Sequence, residues 1–163
     1  MAEQPQYNIS ESKSSNFGAA IIGGGLSGLS LSILLAKAGH NVILFEKEKY
    51  PFHKVCGEYI SIESWKFVEK LGVPLSKLNL PLIKNLIVSS PNGKYLKSKL
   101  DLGGFGISRY FLDHYLKEVA LQNGVQIYEG CKVNAVSFAH DLFTVKYNRG
   151  EIKSRLAVGS FGK

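Results

Sequence analysis

The chain has 163 residues, 45% of them hydrophobic and 20% charged, with a formal net charge of +7. This length allows one ordinary domain with a buried core, and the composition is that of a globular protein. The basic residues are scattered and are not interleaved with aromatic residues, which argues against a nucleic-acid platform and leaves a solvated basic surface. Two cysteines exclude a disulfide framework and favour a cytoplasmic protein.

The first part of the chain predicts a strand, a helix and a second strand. Residues 1–16 are polar, lack a signal peptide and predict a disordered tail. An apolar strand is expected over 17–22, a helix over 26–37 that ends before Gly39, and an apolar strand over 41–46. The run 19–38 contains four glycines and three serines, so it predicts a buried strand and helix rather than a membrane span.

The rest of the chain predicts further strands and two helices. A helix is expected over 63–71, a hairpin from 86–90 and 95–100 around Asn92-Gly93, and a helix over 108–123 capped by Ser108. A short strand over 125–129 precedes a meander of 133–138, 143–148 and 151–154, and a last strand covers 156–159. The order predicts an α/β fold with a parallel sheet. Because such a sheet normally continues with more strands, we expect a truncated piece of a longer protein.

A glycine motif gives this fold a chemical role. Gly23, Gly25 and Gly28 form G-x-G-x-x-G between the first strand and its helix, and the second strand ends in Glu46, 18 residues after Gly28. Gly23 permits the tight turn, Gly25 lets the backbone approach a pyrophosphate, and Gly28 lets the helix pack on the strand. The carboxylate of Glu46 can accept hydrogen bonds from ribose hydroxyls and would repel a 2′-phosphate. The pattern predicts a Rossmann-like FAD/NAD(P)-binding domain.

Three further segments resemble one flavoprotein family. Residues 52–61, which read FHKVCGEYIS, resemble the V-C-G-E-x-x-S segment of the geranylgeranyl reductase family, whose members share the p-hydroxybenzoate hydroxylase fold. Residues 106–113 are similar to the family's arginine with x-x-x-D-x-x-L at a helix start. Residues 156–162 stand where these enzymes have V-I-G-A-D-G. The resemblance covers the chain from residue 17 onward, but only the first half or less of a family member.

The resemblance implies FAD as the cofactor and assigns roles to particular residues. Glu46 would hold the adenosine ribose, the backbone of Cys56 and Gly57 would lie beside the flavin, and Arg109 would reach the pyrophosphate or ribityl region. Val133 would pair with adenine through its backbone. The predicted cofactor-binding residues are Gly23, Gly25, Leu26, Ser27, Gly28, Glu46, Lys47, Lys54, Cys56, Gly57, Arg109 and Val133.

Catalytic residues are harder to assign from the sequence. Cys56 is the candidate catalytic residue, against the alternative of a small buried apolar side chain. His53 and Glu58 are candidates for proton transfer, against the alternative of solvent contacts. Cys131 has no supporting context and is expected to be structural, and no cluster of metal ligands is expected.

The expected function is that of an FAD-dependent oxidoreductase that transfers a hydride between the flavin and an apolar isoprenoid or polyene-like substrate. Phe161 stands where many relatives have an aspartate, and a phenyl ring cannot accept that residue's hydrogen bonds, so NAD(P)H as direct electron donor is in question. A flavin monooxygenase or halogenase-like enzyme, and a truncated ADP-binding fragment without catalysis, stay open as alternatives. Residues 17–163 would form the FAD-binding domain, with 74–105 on the side of a missing C-terminal substrate domain. Peripheral membrane contact would suit a lipid substrate.

Overall fold

The computed structural model describes residues 16–56 and 58–162. The tail expected over 1–16 therefore lies outside these ranges except for Asn16, and so does the predicted ligand residue Gly57. Within the described ranges the strands are β1 Asn16–Ile22, β2 Val42–Glu46, β3 Tyr59–Ser61, β4 Leu82–Ser89, β5 Tyr95–Gly106, β6 Gln126–Glu129, β7 Val133–Ala139, β8 Leu142–Tyr147 and β9 Gly150–Gly159. The α-helices there are α1 Leu26–Lys37, α2 Trp65–Leu71 and α3 Arg109–Gln122, with 3-10 turns at Ile62–Ser64 and Leu75–Lys77.

The main sheet has the strand order β6-β2-β1-β9-β8-β7. The first four strands are parallel, and β8 and β7 continue the sheet as an antiparallel meander. All five residues of β2 are buried, which agrees with the unbroken apolar run expected of a parallel strand covered on both faces. The α/β class, the parallel sheet and the meander predicted from the sequence are confirmed.

The two faces of the main sheet pack into separate cores. Ile21 and Leu44 meet Leu29 and Ile33 of α1 and Leu116 of α3, and all five are at most 1% exposed. On the opposite face the core residues are Phe17, Ala20, Ile43, Phe45, Cys131 and Val145. Each fully buried leucine or isoleucine stabilises the fold by about 1.5–3 kcal/mol. This burial holds α1 firmly against β1 and β2, and thereby fixes where the N-terminus of α1 points.

A second, antiparallel sheet has the order β3-β5-β4 and contains the predicted hairpin. The hairpin strands are longer than expected, because the pairing continues from Ser89↔Tyr95 to Leu82↔Phe105. Of the two turn residues, Gly93 adopts a positive φ of 81°. The segment 74–105 therefore lies mostly in this separate sheet. That it faces a substrate domain stays a prediction.

Two local expectations were wrong. The strands expected over 151–154 and 156–159 form a single strand, β9, because it pairs with β8 in its first half while it pairs with β1 from Lys153 onward. Ser108 occupies the N-cap position of α3, but its side chain makes no capping hydrogen bond. In the described part of the chain, none of the helices is both long enough and apolar enough to cross a membrane.

Candidate functional site

A cleft of about 1110 Å³ opens at the carboxyl ends of β1 and β2, beside the N-terminus of α1. Its walls come from the glycine-rich turn, the end of β2, the loop after β2, the start of α3, the start of β7 and the segment after β9. The lining residues include Gly23, Gly25, Leu26, Ser27, Glu46, Lys47, Phe52, His53, Lys54, Arg109, Lys132, Val133, Asn134, Ser160 and Phe161. Open α/β sheets bind their ligands at this edge.

Two glycines of the turn, Gly23 and Gly28, are required by close approaches of the backbone. Gly23 has a φ of 108°, and a β-carbon there would lie 2.6 Å from the backbone of Ser160. A β-carbon on Gly28 would lie 2.0 Å from the carbonyl oxygen of Gly23. Gly25 is different, because its β-carbon would meet Lys54 Nζ at an ordinary 3.7 Å and would otherwise project into open space. Gly23 and Gly28 thus shape the turn, and Gly25 keeps the cleft open beside it.

Glu46 joins the turn to the end of β2. Its carboxylate is 6% exposed; Oε2 accepts the Gly24 N–H at 2.8 Å, and Oε1 accepts the Glu48 N–H at 3.0 Å. A carboxylate has about four acceptor sites, so both oxygens keep capacity for ligand hydroxyls. The side chain lines the cleft at the position expected for a ribose-binding acid.

Two hydroxyl groups hold the carbonyls of the same turn. The phenol of Tyr50 donates to the carbonyl oxygen of Gly24, and Ser160 Oγ donates to that of Gly23 at 2.6 Å. The Tyr50 backbone N–H in turn donates to Glu129 Oε2 at 3.1 Å. Burial, then the negative charge of Glu46, raises the pKa of Tyr50 far above its ordinary value, so the phenol stays protonated as a donor.

The carboxylate of Asp113 binds two cations, Arg109 and Lys54, that line the cleft. It accepts Arg109 Nε at 2.8 Å and Nη2 at 2.9 Å, and lies 3.3 Å from Lys54 Nζ. The hydrogen bond to Asp113 raises the pKa of Arg109 above its ordinary value. Lys54 Nζ also stands 4.6 Å from the centre of the Phe52 ring. Lys54 Nζ lies close to the N-terminus of α1, 3.7 Å from where a β-carbon on Gly25 would stand.

The other end of the cleft is formed by the start of β7. Lys132, Val133 and Asn134 line it, above a layer of aromatic rings that includes Phe45 and Tyr128, whose centres are 5.6 Å apart. Cys131 is 2% exposed at the edge of this layer, and burial raises the pKa of its thiol. This end therefore offers the backbone groups of Lys132, Val133 and Asn134 to a ligand.

The structure brings most of the predicted cofactor-binding residues around one cleft. Nine of them line it, namely Gly23, Gly25, Leu26, Ser27, Glu46, Lys47, Lys54, Arg109 and Val133. Gly28 lies beneath the turn, and Cys56 is exposed and stands outside the lining, within the described ranges. Across those same residues, no three His, Cys, Asp or Glu side chains are placed to hold a metal ion.

Three residues of the site were not assigned roles from the sequence. Asp113 is the aspartate of the motif that starts at Arg109, and its pairing with Arg109 could have been predicted, since it stands four residues later on a predicted helix, where opposite charges pair. Tyr50 and Ser160 gave no such signal, because they reach the turn from 26 and 137 residues away along the chain.

Comparisons with known proteins agree with this geometry. Residues 21–74 match the family described as NAD(P)-binding Rossmann-like domain. The chain is 29% identical over 145 residues to conditioned medium factor receptor 1 of Dictyostelium discoideum, covering 80% of the chain and 28% of the relative. It is 27% identical over 135 residues to a flavin-dependent halogenase of Armillaria mellea, covering 74% of the chain and 25% of the relative.

Solved structures show the same fold. The halogenase PltM superposes with a TM-score of 0.74 at 19% identity, over 90% of this chain and 34% of that protein. The flavin-dependent brominase Bmp2 gives 0.73 at 21% identity, over 91% of this chain and 39% of that protein. The chain thus spans about a quarter to two-fifths of the length of these relatives.

The fold is Rossmann-like, and its cleft lies at the edge of the sheet where such folds bind dinucleotides. More particularly, the described residues have the fold of a part of the halogenase PltM and of the flavin-dependent brominase Bmp2.

Proposed function

We propose that this chain binds the ADP half of FAD and serves as the cofactor-binding part of an FAD-dependent oxidoreductase. The observation that carries the proposal is that Glu46, Arg109 and Lys54 line one cleft beside the glycine-rich turn. An acid for the ribose and cations for the diphosphate are what an adenine dinucleotide requires.

The residues present fit this cofactor. The N–H groups at the start of α1 have no partner within the helix, and together with the helix dipole they attract an anion. Lys54 and Arg109 add positive charge to the lining of the cleft, and the absence of a side chain at Gly25 leaves the backbone at the start of α1 accessible from the cleft. Beyond the diphosphate, Glu46 would accept the ribose hydroxyls, and the backbone at Val133 would meet the adenine.

For the reaction, we propose hydride transfer with an apolar, isoprenoid or polyene-like substrate, as the resemblance to geranylgeranyl reductases implies. FAD supplies the hydride chemistry when bound, and the protein supplies position and electrostatics. Phe161 lines the cleft with 74% of its surface exposed and offers no hydrogen-bond acceptor on its side chain. This favours an electron donor other than directly bound NAD(P)H. Cys56 stays the candidate catalytic residue, and its exposure leaves it accessible to a bound flavin or substrate.

A second candidate is a flavin-dependent halogenase or related monooxygenase. The observation that favours it is the likeness to a fungal halogenase in sequence and to two halogenating enzymes in fold. Both candidates use the same ADP site, so the described residues support them equally. The residues that would distinguish them are those that line the substrate cavity.

The test of the shared proposal is FAD binding to the purified chain, with Glu46→Ala as the disabled variant and Glu151→Ala as the control. Glu151 is an exposed acid on β9 whose nearest cation, Lys146, lies 3.9 Å away. We expect stoichiometric FAD binding by the parent and the control, and at least tenfold weaker binding by Glu46→Ala. Two assays on a protein that contains this chain separate the two reactions. With reduced flavin, oxygen, bromide and a phenol, a brominated product supports the halogenase. With reduced flavin and a polyene in the absence of oxygen, saturation of the polyene supports the reductase.

A further inference from the structure

Two consecutive carbonyls of the glycine-rich turn, those of Gly23 and Gly24, are each held by a hydroxyl from elsewhere in the fold. Ser160 Oγ, just after β9, lies 2.6 Å from the Gly23 oxygen and 3.2 Å from the Ile22 oxygen. The Tyr50 phenol, from the loop after β2, donates to the Gly24 oxygen. A glycine run is the most flexible type of backbone, so its conformation must be imposed by such outside contacts.

These hydroxyls determine the direction of the N–H groups as well. In a trans peptide the C=O and the N–H point in opposite directions. The peptide between Gly23 and Gly24 is therefore held at both ends, by Ser160 on the oxygen and by Glu46 Oε2 on the nitrogen at 2.8 Å. The next peptide is held by Tyr50 on its oxygen, so the Gly25 N–H points away from Tyr50, at the N-terminus of α1, where Gly25 lines the cleft.

Tyr50 is itself held in place independently of any ligand. It is 9% exposed, its backbone N–H donates to Glu129 Oε2, and its ring lies 5.4 Å from that of Phe52. Glu129 is in turn paired with Lys117 Nζ at 3.1 Å. The phenol is thus a fixed donor, and the carbonyl of Gly24 follows it.

We propose that Tyr50 and Ser160 are positioning residues whose hydroxyls orient the peptides of the turn for a bound diphosphate. The proposal rests on the function proposed above and adds to it which residues set the affinity for the diphosphate. Neither hydroxyl needs to touch the ligand. Their removal is expected to weaken binding of the diphosphate while the contacts to adenosine persist.

The test compares Tyr50→Phe and Ser160→Ala with two matched controls, Tyr115→Phe and Ser32→Ala. Tyr115 is a partly buried tyrosine of α3, and Ser32 is a buried serine of α1 whose Oγ donates to the Leu29 carbonyl at 2.8 Å. The controls remove the same groups away from the turn. Dissociation constants for ADP and for adenosine are measured by titration calorimetry on the whole chain, together with the melting temperature of each variant.

We expect Tyr50→Phe and Ser160→Ala each to weaken ADP binding about tenfold, with adenosine binding within twofold of the parent and both controls unchanged. Parent-like ADP binding in both variants would overturn this inference alone, as would an equal loss of ADP and adenosine affinity, which signals a general structural effect. If Tyr50→Phe does not fold, Ser160→Ala decides. Failure of the parent chain itself to bind ADP would overturn the proposed function together with this inference.

Discussion

Arg109 and Asp113 stand one helical turn apart on α3, and their side chains form two parallel hydrogen bonds. Arg109 Nε donates to Asp113 Oδ1 at 2.8 Å, and Nη2 donates to Oδ2 at 2.9 Å. Asp113 is 2% exposed, and the Arg109 side chain is 16% exposed. This bidentate pair fixes a planar cation at the floor of the cleft, where a flexible lysine would need a further partner to be fixed. Lys54 is given that partner by the same carboxylate.

Replacing Asp113 by alanine should therefore lower the stability of the fold. The change leaves a mostly buried guanidinium without its partner, and we expect a loss of about 2 kcal/mol, below the ~3–5 kcal/mol of a fully buried pair because Arg109 and Lys54 keep contact with water. Urea unfolding followed by circular dichroism measures it. The control is Glu151→Ala, which breaks an exposed pair and should change stability by less than about 0.5 kcal/mol. Equal losses of stability in the two variants would show that Asp113 contributes no more to the free energy of unfolding than an exposed acid does.

Two glycine-to-alanine changes should separate folding from binding. Gly28→Ala places a β-carbon 2.0 Å from the Gly23 oxygen, so the helix must move and the melting temperature should fall by several degrees. Gly25→Ala meets only Lys54 Nζ at 3.7 Å in an extended conformation that alanine readily adopts, so stability should be kept. The added methyl nevertheless occupies the side from which a diphosphate approaches, and FAD or ADP affinity should drop at least tenfold. Unimpaired ADP binding by a folded Gly25→Ala variant would place the diphosphate elsewhere.

Glu46 should govern the choice between ligands with and without a 2′-phosphate. A buried carboxylate repels a phosphate on the ribose, and Glu46 stands 6% exposed at the cleft wall. Glu46→Ala should weaken ADP binding and at the same time reduce the preference for ADP over 2′-phospho-ADP by about tenfold. Competition titrations with the two nucleotides measure the ratio. An unchanged ratio would mean that the ribose lies away from Glu46.

The two cysteines should differ in their reactivity toward an alkylating reagent. Cys56 is exposed, whereas Cys131 is 2% exposed and burial raises the pKa of its thiol. The thiolate is the reactive form, so near pH 8 iodoacetamide should label one cysteine in the native chain and both in urea. The raised pKa of Cys131 means that the native state favours its protonated thiol. The free energy of unfolding is therefore unaffected by this group at neutral pH, and it falls as the pH rises through the folded pKa. Mass spectrometry of alkylated peptides measures the labelling, and rapid native labelling of Cys131 would contradict the buried placement.

The sequence was most informative where local pattern determines structure. The β1-α1-β2 unit was predicted within about a residue at each end, because apolar runs and glycines report on local backbone directly. Placing Glu46 beside the turn followed from its position at the end of β2. The join of two expected strands into β9 was missed, since it depends on simultaneous pairing with β1 and β8.

The parts of the site that escaped prediction depend on contacts between distant segments. Tyr50 meets Gly24, and Ser160 meets Gly23, through packing that no periodicity in the chain reports. Cys56 is exposed and stands outside the cleft lining in the described ranges, and its catalytic role stays a prediction. A motif identifies a segment, but only the fold decides which of its side chains face the cleft.

The central claim is that this chain binds FAD through its adenosine diphosphate half. The most direct measurement is a titration of the purified, folded chain with FAD, repeated in the presence of saturating ADP and of saturating riboflavin. We expect one FAD per chain, displaced by ADP but not by riboflavin. A chain that is folded by circular dichroism yet fails to bind FAD, or from which riboflavin rather than ADP displaces the cofactor, would contradict it.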